Sequence, residues 1–522
     1  MIPLFTSRQV RSADEFAVAK LGLPGLVLME NAARSIFEQI KLNLPLSENT
    51  TFGIVSGKGN NGGDGFALAR HLLINGYKVI VIALADDKEL KGDALVNFRA
   101  LRNLIKYYPD SKLIKYKRLN DLSILKNADV IVDSILGTGS KGELREPYKS
   151  IVEKLNSIDA FKVAVDLPTG LDVDTGYGDV VFEADLTVTL SEYKTGLFYG
   201  KGYTHCGKVV KGSIGIGSEY YNQLETDTYL IEPEDAFVNI PLKEPDLHKY
   251  SAGKVLLIAG SRNLPGAAIL AAETALRAGA GAVILAVPDS ISEMVRTKIG
   301  SAVVISYNDN GKGFLTEEAA SQLEEKISWA DTIAIGPGLG REKDTINAVI
   351  NILKKNNGKK FVIDADAIFA LANSKQYLKN TILTPHFGEF ANLIGIAVED
   401  LRVNPIPHAK KFAVKNKCHL VLKGAPTLIF NPAGEVFVNT TGNQGMAKFG
   451  TGDVLTGVIS SFLAQSGNNE ASAISGVYLH SLAADLLAEE KTIYGFTAND
   501  LMEKIPYAIK FIIDTFLPDI ED

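Results

Sequence analysis

Short β-branched runs alternate with helix-forming stretches along most of the 522 residues, and few folds accept that rhythm. A first series runs through TFGIVSG at 51–57, KVIVIAL at 78–84, DVIVDSI at 129–135, KVAVDLP at 162–168 and DLTVTL at 185–190. A second runs through GKVLLIAGS at 253–261, GAVILAV at 281–287, DTIAIG at 331–336, FVIDAD at 361–366, TILTP at 381–385 and HLVLKG at 419–424. Strands separated by helices predict α/β units with mainly parallel, doubly wound sheets. Ligands of such sheets sit beyond the carboxyl ends of the strands. The rhythm is lost between 218 and 250, where Pro233, Pro241 and Pro245 stand among many charges. We place the domain boundary there, giving domains 1–225 and 226–522; a prior of ~150 residues per domain permits two large units. Ahead of the first strand, residues 7–20 and 26–41 carry apolar residues at helical spacing and predict two helices, a lid or packing hairpin, the first opened by Thr6 or Ser7.

Hydrophobic content of 46% with 22% charged residues is ample for buried cores. A net charge of −7 supplies no bulk attraction for nucleic acid or an anionic membrane, and neither is expected as a partner. Cys206 and Cys418 stand far apart, which argues against a disulfide framework or a structural zinc and fits a reducing cytoplasm. The start MIPLFTSRQVRSADEF has no apolar core of signal-peptide length, and no uncharged run of ~18 residues appears to cross a membrane. The histidines show no metal-binding spacing.

Chemistry concentrates at the strand ends. GKGNNGGDG, Gly57 to Gly65, fits G-x-G-x-x-G between a strand and the helix FALARHLL, with Asp86 placed as a ribose ligand. Asn60, Asn61, Gly63 and Asp64 exceed what a dinucleotide fingerprint needs and add groups that hold a hydrated ligand or a cation. LGTGSKGE at 136–143 repeats the glycine spacing after Asp133, and VDLPTGLD at 165–172 ends a strand at Asp166. Neighbouring strand ends bring Asp133 and Asp166 to one crevice, where paired acids divide into a base and a ligand. Asn61, Asp133 and Thr169 are oxygen donors only, a set for a hard or alkali cation.

In the second half, IGPGLG at 335–340 lets backbone approach a ligand, and PHFGE at 385–389 places His386 at a strand end, facing the crevice. KGAPT, Lys423 to Thr427, adds a cation where a nucleotide phosphate lies. Across TTGNQGMAKFGTGDVLTGVI at 440–459, glycines run straight into an apolar helix beginning near Asp453. Bare N–H groups at such a helix start form an anion site, and Asp453 in its first turn is placed to accept a proton from an attacking hydroxyl. An N-cap role is the alternative for Asp453.

These residues also carry a resemblance. HKYSAGKVLLIAGS, IGPGLG, VIDADA, LTPHFGE, VLKGAPT and GNQGMAKFGTGDVLTG resemble the NAD(P)H-hydrate dehydratase branch of the ribokinase-like fold. MENAA, GNNGGDGF, VDSILGTGSKGE and VDLPTGLD resemble the NAD(P)H-hydrate epimerase domain. Their order is that of the fused bifunctional repair enzymes of hydrated nicotinamide cofactors. The resemblance implies a Rossmann-like three-layer αβα sandwich followed by a ribokinase-like αβα domain. It implies an epimerase site of Asn60, Asn61, Gly62, Gly63, Asp64, Gly137, Thr138, Gly139, Ser140, Lys141, Gly142, Glu143 and Asp166, with Asp166 as general base or acid and potassium on Asn61, Asp133 and Thr169. In the dehydratase half it implies Gly253, Gly338, His386 and Asp453 for the hydrated cofactor, and Lys423, Gly424, Ala425, Pro426, Thr427 and Gly452 for ADP, accompanied by magnesium. R- and S-NADHX and NADPHX are the implied substrates, with Asp453 activating the carbon 6 hydroxyl for phosphorylation by ADP, followed by loss of phosphate. ADP rather than ATP comes from the resemblance alone. Tyr250 and Phe387 depart from the family pattern in the dehydratase pocket, and Thr169 stands where serine is frequent.

Exposed apolar faces in both units make a homo-oligomer the expected assembly. Three other functions fit parts of the sequence. GTGD alone suits a kinase of hydroxymethylpyrimidine or thiazole alcohols with a regulatory domain; the first half alone suits an idle binding module; the two G-x-G-x-x-G stretches suit a nicotinamide dehydrogenase.

Overall fold

The computed structural model describes residues 1–139, 142–217, 219–372, 374 and 378–517. They divide into two compact units, 3–228 and 1–2 with 229–522.

The first unit is built on seven strands, β2 (Thr51–Ser56), β3 (Lys78–Ala83), β4 (Lys112–Lys115), β5 (Val130–Ser134), β6 (Phe161–Val165), β7 (Leu186–Leu190) and β8 (Lys208–Gly212), in the order β4-β3-β2-β5-β6-β7-β8. Every pairing is parallel. Alternate residues face opposite layers, as the strand period requires. Val79, Val81, Val130, Val132, Val163 and Val165 pack with Ile36, Phe66 and Leu72 on one side. Ile80, Ile82, Ile131 and Ala164 pack with Leu122, Ile151 and Leu155 on the other. The edge strands β4 and β8 escape the sequence reading because lysines flank their short apolar centres and both are half exposed.

The two expected helices are Ser7–Ala19, with Thr6 forming a capping box with Gln9, and Gly25–Asn43. A difference appears at the glycine-rich turn: the helix starts at Asn60 rather than Phe66 and carries Gly62, Gly63 and Gly65 inside it. Contact explains this. A Cβ on Gly62 would lie 2.0 Å from the Gly57 carbonyl oxygen, and one on Gly65 would lie 2.0 Å from Ser134 Oγ.

The second unit carries the long sheet. Its strands are β1 (Ile2–Pro3), β9 (Thr228–Leu230), β10 (Lys254–Ile258), β11 (Ala282–Pro288), β12 (Val303–Tyr307), β13 (Thr332–Ile335), β14 (Lys360–Ile363), β15 (Thr381–Leu383), β16 (His419–Leu422), β17 (Thr427–Phe430) and β18 (Val436–Asn439). They run in the order β1-β9-β18-β17-β16-β15-β14-β13-β10-β11-β12. Pairing is parallel from β12 to β16 and antiparallel through β17 and β18. That hairpin was not foreseen, and KGAPT lies in its first turn.

One face of this sheet is covered by the helices Pro265–Arg277, Thr451–Ser466, Asn469–Lys491 and Ala498–Phe516, which share a core with Val255, Leu257, Val283, Ala334 and Val362. The first two approach closely, since a Cβ on Gly457 would come within 2.5 Å of the Ala271 carbonyl oxygen. Among the described residues Asn469–Lys491 is long and apolar enough to cross a membrane, yet 78% of its apolar window is buried inside the protein. It serves as a core helix.

Candidate active sites

In the first unit a cavity of about 890 Å³ opens at the carboxyl edge of the sheet, lined by both leading helices and by Asn60, Asn61, Asp64, Gly137, Thr138, Gly139 and Asp166. Gly62 and Gly63 do not line it: both pack the helix inward, Gly62 on Gly57 and Gly63 on Met29 and Ala94. Gly142 and Glu143 lie on exposed chain outside the lining, while Ser140 and Lys141 fall outside the described residues. Asp86 is also outside, held 2.5 Å from Lys115 Nζ at the neighbouring strand end.

Asp166 follows β6 directly. Its φ of +67° is a left-handed conformation, costing roughly 1–3 kcal/mol in a non-glycine residue, and the surrounding contacts hold it. Its N–H donates to Val188 O at 2.9 Å. Its Oδ1 accepts from Leu190 N at 3.1 Å and from Lys194 Nζ at 2.7 Å. Lys194 is fully buried and gives its remaining protons to Thr189 Oγ1 and Leu190 O, at 2.8 and 2.9 Å. One carboxylate oxygen is thereby pinned, and Oδ2 is left beside Gly137 at the cavity. Lys194 was missed by the sequence reading, because a single lysine in SEYKTG carries no spacing signal.

Asp133 is the penultimate residue of β5, next to β6, and is wholly buried. Its Oδ2 accepts from Thr169 N at 2.7 Å, and its Oδ1 accepts from Thr169 Oγ1 at 2.8 Å and Ile135 N at 3.1 Å. Burial pushes this carboxyl up to about 6 against those hydrogen bonds. Asn61 Nδ2 donates to Leu136 O at 3.0 Å, while its buried Oδ1 has no partner. Asp133, Thr169 and Asn61 thus offer only oxygen donors here, and of these the Asn61 Oδ1 is the one left without a partner among the described residues. Burial, followed by the fields of Asp166 and Asp14, raises Asp64 well above the usual carboxylate range.

In the second unit the loops converge on the N-terminus of the helix Thr451–Ser466. Gly450 caps it at φ +92°, a conformation open to glycine, and Asp453 lies in its first turn. Burial, then Asp364, push the Asp453 carboxyl up to about 7, Lys423 opposing and Asp366 adding. Asp364 is the buried organiser: its Oδ1 accepts from Lys423 Nζ at 2.7 Å and its Oδ2 accepts from Thr456 Oγ1 at 2.7 Å. Burial alone would lower the Lys423 ammonium, but Asp364, Glu389 and Asp453 together hold it above its ordinary value. Gly452 leaves room here, since a Cβ on it would lie 3.3 Å from Lys423 Nζ.

Asp366 accepts from Gly340 N at 3.0 Å and Arg341 Nε at 2.8 Å, which fixes the IGPGLG loop. Gly338, at φ +63°, touches the start of the Pro265–Arg277 helix, where a Cβ would meet Leu264 O at 2.6 Å and Ala267 Cβ at 3.0 Å. His386 caps the helix Phe387–Ile394: its Nδ1 accepts from Gly388 N and Glu389 N at 3.0 and 3.2 Å, and its side chain is 60% exposed. Its backbone bridges to Lys423, whose N–H donates to Pro385 O at 2.8 Å. In the turn that follows, Gly424 lies under Phe387, whose ring would be 2.8 Å from a Cβ there, and Thr427 Oγ1 donates to Gly424 O at 3.1 Å.

Gly253 requires a correction. It precedes β10, at the amino edge of the sheet, and packs on Ala464 and Gln465 near the far end of the 16-residue helix that Asp453 opens. At 1.5 Å per residue that end lies about 20 Å from the site. Leu264 and Ala267, not Gly253, stand beside Gly338.

Two α/β units, each with a carboxylate poised at the carboxyl edge of a parallel sheet, define a two-site, two-domain protein. The profile described as YjeF-related protein N-terminus matches residues 25–196, and the one described as NAD(P)H-hydrate dehydratase matches residues 255–507. A bifunctional NAD(P)H-hydrate repair enzyme from Moorella thermoacetica is 35% identical over 97% of this chain and 96% of its own length. One from Archaeoglobus fulgidus is 36% identical over 94% and 95%. A solved ADP/ATP-dependent NAD(P)H-hydrate dehydratase from Bacillus subtilis, co-crystallised with ATP and Mg2+, is 32% identical, covering 55% of this chain and 100% of that one with a TM-score of 0.49. The chain belongs to the bifunctional NAD(P)H-hydrate repair enzymes, with an epimerase domain followed by an ADP-dependent dehydratase domain.

Proposed function

We propose that residues 1–225 interconvert R- and S-NADHX or NADPHX through Asp166, and that residues 226–522 return the S epimer to NADH or NADPH through Asp453 at the expense of ADP, releasing AMP and phosphate. What supports this division of labour is that Asp166 and Asp453 each stand at the carboxyl edge of a separate parallel sheet within one chain.

In the dehydratase unit Asp453 takes the proton of the carbon 6 hydroxyl as that oxygen attacks the terminal phosphoryl group. Ionisation near neutrality suits a base for this step. Backbone N–H groups at Gly452 and neighbouring positions, with the Lys423 ammonium, hold the phosphoryl charge. Departure of phosphate from carbon 6 and loss of the carbon 5 proton restore the ring double bond. Gly338, with Leu264 and Ala267 beside it, shapes the wall for the hydrated ring, His386 stands at its exposed rim, and Lys423 to Thr427 form the nucleotide side. Magnesium fits as the companion of the nucleotide phosphates rather than as a protein-caged ion, since Asp364 is taken by Lys423 and Thr456, and Asp366 by Gly340 and Arg341.

In the epimerase unit Asn61, Asp133 and Thr169 would hold potassium, which supplies a fixed positive charge beside the substrate loops. Asn60, Asp64 and the Gly137–Gly139 turn surround the hydrated ring. Joining the activities lets one chain consume both epimers. We infer a cytoplasmic homo-oligomer, its subunit number to be read by light scattering.

The test is product identity. With S-NADHX, ADP and magnesium the protein is expected to yield NADH, AMP and phosphate in equal amounts, and with R-NADHX and no nucleotide it is expected to yield the S epimer. A stable phosphorylated alcohol formed from ATP and a pyrimidine or thiazole alcohol, with NADHX untouched, would overturn the reading.

A further inference from the structure

The epimerase reading leaves Asp14, Glu15 and Asp93 on the cavity wall without a task, and of these Asp14 is the one held near Asp166. Asp14 sits on the helix Ser7–Ala19, whose Val10, Ala13 and Ala17 are buried, with Val10 and Ala13 packing on Phe5 and Tyr221. Helical spacing places Val10, Asp14 and Val18 on one stripe, and all three line the cavity. The helix is fastened in place. Ser7 N and Oγ donate to the two carboxylate oxygens of Asp174, each at 2.6 Å, and Tyr220 OH donates to Ser12 Oγ at 2.7 Å.

Among the described residues Asp14 makes no hydrogen bond and no ion pair. It is exposed on the cavity wall, while the crowding of its other sides, then the charge of Asp166, push its carboxyl up to about 6. The charged groups around it are Arg11 and Glu15 on its own helix, Lys58, Asp64 and Asp93 elsewhere on the cavity wall, and the Asp166–Lys194 pair. Asn61, with its unpaired buried Oδ1, lines the same cavity.

Inversion of carbon 6 by loss and return of water uses both faces of the ring, oxygen leaving from one and arriving at the other, whereas opening and reclosing of the ring would keep the original oxygen. A single carboxylate anchored by Lys194 serves one face. We propose that Asp14 is the second acid–base group of the epimerisation, giving a proton to the departing hydroxyl on one face of carbon 6 while Asp166 accepts the proton of the water adding to the other. The proposal rests on the epimerase reading above.

Each step balances. The C6–O bond breaks as the ring nitrogen lone pair forms C6=N1, and the Asp14 proton leaves with the hydroxyl as water. A second water forms the new C6–O bond from the opposite face, the C6=N1 pair returns to nitrogen, and Asp166 takes the released proton. One proton passes from Asp14 to Asp166, no electron acceptor is needed, and the reverse reaction exchanges the two roles.

The experiment uses the full-length protein and resolved R- and S-NADHX in water enriched in oxygen-18. With the wild type, interconversion without nucleotide is expected, each epimer formed carrying one solvent oxygen. For Asp14→Asn the kcat of epimerisation is expected to fall about 100-fold or more with KM nearly unchanged, Asp14→Glu is expected to recover part of it, and dehydration of the S epimer is expected to continue at the wild-type rate. Retained kcat in Asp14→Asn, a rise in KM alone, or epimer that keeps its original oxygen overturns the proposal while leaving the epimerase reading intact. Absence of interconversion in the wild type overturns both.

Discussion

Asp453 and Asp166 differ in how their surroundings prepare them. Asp453 is pushed up to about 7 by burial and by Asp364, so its proton-accepting form is lost as pH falls through that value. The kcat/KM of dehydration should decline below pH ~7 while ADP saturation is maintained, and a rate flat from pH 8 down to pH 5.5 would contradict Asp453 as the base. Asp453→Asn should lower dehydration by about 100-fold or more and leave epimerisation intact; Asp166→Asn should do the reverse. Equal loss of both activities in each folded variant would refute the two-site assignment. Lys194 reaches Asp166 from a fully buried position, so Lys194→Met strands a carboxylate. Breaking such a pair costs about 3 kcal/mol, and the cavity's solvent keeps this at the lower end of its range. Denaturant unfolding should show that loss, accompanied by loss of epimerisation. The acidic strand ends were legible in the sequence because each follows an apolar run and precedes a turn. Lys194, Asp14 and the Asp364–Lys423 pair were not. Their meaning depends on contacts spanning 28 residues for Lys194–Asp166 and 59 for Lys423–Asp364, and a charge on an amphipathic helix reads as solvated surface.

Elements follow the same logic of near and far. Central strands stood out because both of their faces are buried, which makes them continuous β-branched runs. β4, β8 and β12 lie at or near sheet edges with charged or half-exposed residues, and the β17–β18 hairpin follows a parallel series that gave no hint of reversal. Gly253 shows a related limit: a motif's nearness to a strand does not say which end of that strand faces the ligand. Gly62 shows the converse, a glycine in a substrate-loop pattern that serves helix–strand contact. The close crossing of the Pro265–Arg277 and Thr451–Ser466 helices makes a specific prediction. Gly457→Val would drive side-chain atoms into Ala271 and Thr274, and overpacking of this kind costs about 1–3 kcal/mol. A lowered unfolding transition of the second unit with dehydration impaired and epimerisation preserved is expected. Unchanged stability would mean that the helices are not in close contact there.

At the scale of the molecule, two sheets, one wholly parallel and one parallel from β12 to β16, each carry their own carboxylate, and the relatives match nearly the whole length of the chain. The order of the two domains was readable because each half brought its own set of strand-end motifs, although residues 1–2 joined the second unit, a contact that no local pattern announces. One chain that recovers both epimers is what these two sites amount to together. It is tested most directly by absorbance at 340 nm after the protein is added to a mixture of S- and R-NADHX with magnesium and ADP, ATP or neither. Full recovery of NADH with ADP, and none without nucleotide, is expected. Recovery that stops when the S epimer is exhausted would contradict the epimerase half, and no recovery with either nucleotide would contradict the whole.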